Sequence, residues 1–114
     1  MAINREKLQE SFQIYDKEIV VEIIDLFFEE YPERVEALDK ATSTYDSELL
    51  RDTAHGLKGV ISHFHAEQAR KLSQRLEEMG ASESFDGAEE TKKALFAELK
   101  EMVEELKEIK KAYQ

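Results

Sequence analysis

The sequence predicts an all-α fold, an antiparallel up-and-down four-helix bundle preceded by one short extra helix at the N-terminus. Three observations lead there. Apolar residues recur at spacings of three and four along most of the chain. No stretch shows strand-like alternation of useful length, and the 114 residues include a single proline. The connections between the periodic stretches are short, which favours antiparallel neighbours.

Each element has its own signature. Asn4 is placed to cap a first short helix holding Leu8 and Phe12. Asp16 can cap the second, with Tyr15 and Val20 positioned for a hydrophobic staple. The apolar stripe of that helix is Val20, Ile24, Phe27, Tyr31, Val35 and Leu38. Pro32 falls inside it, removes one backbone hydrogen bond, and is expected to kink or briefly break it. Ala41 to Tyr45 reads as a short polar connection. Asp46 or Ser47 starts a third helix, with Leu50, Ala54, Leu57, Ile61 and Phe64 on one face. A turn near His65 leads to a fourth, with Ala69, Leu72, Leu76 and Met79 inward. Gly80 is placed as its C-terminal stop, followed by a loop to Gly87. Asp86 with Glu89 three residues later resembles a capping box. The last helix carries Leu95, Leu99, Met102, Leu106, Ile109 and Tyr113. This seam is short for a coiled coil and reads as one more wall of the bundle.

Length predicts one domain over residues 1–114. The absence of cysteine excludes disulfides and thiolate metal sites. No apolar run approaches the ~20 residues of a membrane span, and the first residues lack a signal-peptide pattern. The expectation is a soluble, cytoplasmic protein with no membrane association. The formal net charge of −10 argues against nucleic acid as a partner. The charge is uneven, however. Arg51 to Arg75 holds five basic and two acidic residues, while the rest holds 11 basic and 24 acidic. Such a positive island suits an acidic partner or a phosphoryl group.

The most telling stretch is Ala54-His55-Gly56-Leu57-Lys58-Gly59. Glycine inside a helix is unfavourable by roughly 1 kcal/mol relative to alanine, so two of them around a histidine and a lysine need a reason. With about 100° per residue and Leu57 set at zero, the apolar stripe lies within about 60° of it. His55 then falls at about 160°, Gly59 at about 200°, Ser62 at about 140° and Lys58 at about 100°. His55 therefore projects outward, halfway along its helix. Gly59, four residues on, leaves the ring sterically open. Imidazole is a nucleophile when unprotonated, and a phosphoryl group placed on it would lie within reach of the Lys58 ammonium. His63 and His65 lack the i, i+4 spacing to His55 of helical metal ligands, so no metal site is expected.

The stretch resembles the A-H-x-L-K-G signature of histidine-containing phosphotransfer (HPt) domains. Ile23 to Leu38, with Phe27, Phe28 and Pro32, is similar to the family's preceding helix. Leu76-Glu77 and Gly80 resemble its L-E-x-x-G pattern. The resemblance implies a four-helix bundle that carries a phosphoryl group between receiver-domain aspartates, or accepts it from a histidine kinase, within a two-component phosphorelay. It implies His55 as phospho-acceptor, Lys58 as phosphate-stabilising cation, Gly59 as the clearance residue and Glu77 as the group orienting the His55 ring. The expected partners are response-regulator receiver domains and hybrid histidine kinases, met through Arg51, Ser62, Arg70 and nearby apolar residues. No cofactor is expected in this chain, Mg²⁺ being supplied by the receiver, and no kinase activity of its own. Gly56 departs from the family's larger polar residue, and His65 from its usual glycine. The alternative function is a non-catalytic helical adaptor or oligomerisation module that binds helices through Leu99, Met102 and Leu106.

Overall fold

The computed structural model describes residues 1–114 as five helices without a strand. These are α1 (Arg5–Phe12), α2 (Lys17–Thr44), α3 (Ser47–Ser62), α4 (Glu67–Ala81) and α5 (Ala88–Lys111). Helices α2 to α5 form the bundle, each packed on its sequence neighbours, with α2 closing the ring against α5. Contacts between ends establish the antiparallel order. Lys110, late in α5, meets Asp25, early in α2. Lys92, early in α5, meets Asp39 and Thr42, late in α2. Phe64 just past α3 packs on Phe27 in the first half of α2. No helix is long and apolar enough to cross a membrane.

The predicted stripes form one apolar core. Val20, Ile24, Phe27 and Leu38 of α2 are buried with Leu50, Ala54, Leu57 and Ile61 of α3. Leu72 and Leu76 of α4 join them, as do Leu95, Leu99, Met102 and Leu106 of α5. The seam that an adaptor would offer to a partner is thus occupied inside the bundle. Tyr31, Val35, Met79, Ile109 and Tyr113 flank the core half-buried. Helix α1 closes one end: Leu8 and Phe12 are buried, and Phe12 meets Tyr113 edge to face. Glu105 of α5 pins the segment before α1 by accepting the backbone N–H groups of Ala2 and Ile3.

Several local expectations change. Helix α2 does not end near Ala41 but runs to Thr44, with Ala41 and Thr42 buried. Thr42, Ser43 and Thr44 turn their hydroxyls back onto carbonyls of the preceding turn, so polar residues that read as a connection bond within the helix instead. The reversal falls to Tyr45, in the left-handed region at φ 52°. Pro32 lies exposed in α2 and does not break it. Asp16 caps α2 without a side-chain hydrogen bond, whereas Asn4 and Asp46 accept from the N–H groups of Lys7 and Leu49. Asp86 caps nothing: the N-cap of α5 is Gly87, at φ 79°. His65 takes up φ 54° in the α3–α4 turn.

Gly80 is the most consequential correction. It is not a helix stop, because α4 continues to Ala81 and reverses at Glu83, φ 55°. Gly80 is buried where α4 crosses α3. A methyl group there would lie 2.5 Å from the Arg51 nitrogen and 2.7 Å from the Ser47 carbonyl oxygen. Both obstacles are backbone, so neither can step aside. Gly59 is the opposite case, with nothing within 4 Å of such a methyl. Gly80→Ala should lower stability by about 3 kcal/mol or more, while Gly59→Ala should raise it by up to about 1 kcal/mol. Urea midpoints of the two variants should therefore move in opposite directions.

Candidate functional site

The site lies across α3 and α4. The crossing at Gly80 brings the helices close, and Glu77, one turn earlier on α4, then faces α3. His55 occupies the matching position on α3, one turn beyond Arg51. The resulting geometry is tight. His55 Nδ1 is 2.9 Å from Glu77 Oε2, and Lys58 Nζ is 2.7 Å from Glu77 Oε1. One carboxylate thus bridges the imidazole and the ammonium.

The surroundings of the three groups differ. The His55 side chain is 68% exposed, whereas Glu77 and Lys58 are 23% and 27% exposed. Glu77 Oε1 is sealed from solvent, with the Lys58 ammonium as its sole neighbour of opposite charge. Their approach angle falls outside good hydrogen-bond geometry, so the contact is a close ion pair. The Lys58 ammonium, opposed by partial burial and assisted by His55, holds the Glu77 carboxyl below its ordinary value of 4.5. A carboxylate can only accept, so Nδ1 carries the proton in the neutral ring and the Nε2 lone pair is free.

The remaining predicted residues occupy the same side of the molecule in different states. Gly59 lies open beside His55. Ser62 is exposed and donates to the Lys58 carbonyl of its own helix. Arg51 is exposed and paired with its neighbour Asp52. Arg70 lies two turns from Glu77 on α4, where Glu67 and Gln74 hold it. Lys58, expected within reach of a phosphoryl group on His55, is already engaged by Glu77. Glu77 in turn pairs with neither Arg70 nor Arg75. His65 contacts Ser11 at 2.7 Å, tying the α3–α4 turn to α1.

The sequence reading did not locate an apolar groove beside the end of α3. Its volume is about 680 Å³, and Ile14, Tyr15, Ile23, Leu26 and Val60 line it with Ser62 and His63 at the rim. Ile14 is 80% exposed. The available signal was Ile14-Tyr15, an apolar pair in a connection, together with Leu26, which stands off the α2 stripe.

Known proteins share the family pattern and the fold. The family model described as "Hpt domain" matches residues 22–109. Among solved structures, the fold is similar to the crystal structure of histidine-containing phosphotransfer protein B (HptB) from Pseudomonas aeruginosa PAO1. The TM-score is 0.90 at 23% identity, over 99% of this chain and 97% of that one. No curated protein sequence matches the chain.

The state of Glu77 can be read in solution. A carboxyl held below its unfolded value adds stability that is complete above that value and is lost as pH falls through the folded one. Between about pH 5 and pH 3, the wild type should lose stability more steeply than Glu77→Gln. Urea unfolding across that range measures the difference, and parallel curves would mean that the bridge does not form.

Proposed function

The chain belongs to the Hpt domain family, and we propose that it carries a phosphoryl group on His55 in a cytoplasmic two-component phosphorelay. The group comes from a receiver-domain aspartate or a histidine kinase and passes to another receiver aspartate. The observation that supports this most is an outward imidazole whose Nδ1 is engaged by Glu77 at 2.9 Å. Only Nε2 is then left to react.

The chemistry follows from that arrangement. The Nε2 lone pair attacks the phosphorus of an aspartyl phosphate. An N–P bond forms, the P–O bond to the aspartate breaks, and the aspartate carboxylate leaves. The Nδ1 proton stays in place, so the ring becomes cationic beside the Glu77 carboxylate. Delivery to the next aspartate is the reverse: the carboxylate attacks phosphorus and the neutral ring departs. Glu77 orients the ring and opposes its developing charge. Lys58 keeps Glu77 ionised and brings a positive charge to the phosphoryl oxygens. Gly59 leaves room for the partner's active site. The chain has no glycine-rich nucleotide loop, and Mg²⁺ is supplied by the receiver.

Docking uses the face around His55. Arg51 and Ser62 lie on the same side of α3 as the ring, and Arg70 continues that side on α4. The groove lined by Ile14, Leu26 and Val60 adjoins it and accepts apolar residues of the receiver.

A phosphorylated receiver should label the wild type with acid-labile, base-stable phosphate, and His55→Gln should take up none. Failure of a broad panel of phospho-receivers to label the wild type overturns the reading. ATP alone should give no label. Lys58→Ala should slow transfer by about tenfold to a hundredfold, the worth of a charge-assisted contact. Rapid-quench measurement of the transfer rate tests this.

A further inference from the structure

Gly56 is unexplained by any role in the transfer step. It stands mid-helix, where alanine is better by roughly 1 kcal/mol. It is neither a turn nor a crossing point, since the atoms nearest its bare Cα belong to a side chain. They are the guanidinium of Arg34 on α2: a methyl on Gly56 would lie 3.8 Å from Nε and 4.0 Å from Nη2. Both are ordinary van der Waals distances, so Arg34 lies beside Gly56 and a methyl would fit next to it. Glu30, one turn earlier on α2, holds its Nη1 at 3.0 Å. Glu30 is its one charged partner.

The placement relative to His55 matters. On the helical wheel Gly56 falls at about 260°, with His55 at about 160° and Lys58 at about 100°. Arg34 therefore flanks the ring on the α2 side and Lys58 on the α4 side. Adjacent Cα atoms are about 3.8 Å apart, which puts Arg34 Nε within about 9 Å of the His55 Cα. Its availability also sets it apart. Arg51 gives two nitrogens to Asp52, Arg70 gives three to Glu67 and Gln74, and Lys58 is engaged by Glu77. Arg34 gives one nitrogen to Glu30, is 30% exposed, and keeps its other N–H groups free.

We propose that Arg34, beside Gly56 on the α2 side of His55, is a contact residue for the acidic rim of the phosphoryl-exchanging partner and helps to select which partner docks. This rests on the phosphotransfer reading above. The charge balance supports it: a chain of net charge −10 repels an anionic partner overall, so a cation fixed beside the reacting ring has leverage on encounter.

The test compares two phosphodonors, a phosphorylated receiver domain and the small molecule phosphoramidate, which phosphorylates Nε2 with loss of ammonia and needs no docking. Arg34→Gln should lower kcat/KM for the receiver about two- to fivefold more than for phosphoramidate. The gap should close with added salt. Lys107→Gln makes the same charge change on a distant, exposed part of α5 and should show no donor preference. Equal losses with both donors, or the same salt dependence in Arg34→Gln as in the wild type, overturn the proposal while leaving the phosphotransfer reading intact. A wild type that no receiver and no phosphoramidate labels overturns both.

Discussion

The close crossing of α3 and α4 at Gly80 is the constraint on which the site depends. A glycine against the backbone of Ser47 and Arg51 fixes the separation of the two helices at a single point. One turn away on each helix, that separation becomes the distance between Glu77 and His55. The small residues Ala69 and Ser73, buried further along α4, continue the same helix face. Packing inside the bundle therefore determines a hydrogen bond on its surface, and the surface pair has little freedom to adjust alone.

The second constraint is electrostatic. Glu77 has one oxygen facing the imidazole and the other shut away from water. An ionised oxygen in that position is tolerable because the Lys58 ammonium touches it. Lys58 and Glu77 consequently act as a unit. Removing the lysine strands a charge as well as deleting a cation, so the two side chains cannot be assigned separate, additive shares of the site's behaviour.

Much of this was legible in the sequence, for identifiable reasons. Helical periodicity fixes which side chains turn inward, so the core of α2 to α5 and the outward direction of His55 follow directly. The partnership of Glu77 and His55 spans 22 residues and depends on how two helices cross, which periodicity does not contain. It came from the resemblance. Gly80 was misread because a glycine that ends a helix and one that admits a neighbouring backbone look alike on one strand of sequence. The end of α2 was misread because its threonines and serine bond back into the helix, an option that competes closely with a polar turn. Arg34 gave no sign of its own. Its position becomes informative only beside the unexplained Gly56, on a different helix.

The openness of the His55 ring has a consequence for timing. A side chain that a bulky protein can approach is equally open to water, and nothing here folds over it. A phosphorylated ring at this position would therefore be unprotected, and its lifetime would be governed by the intrinsic durability of the N–P bond.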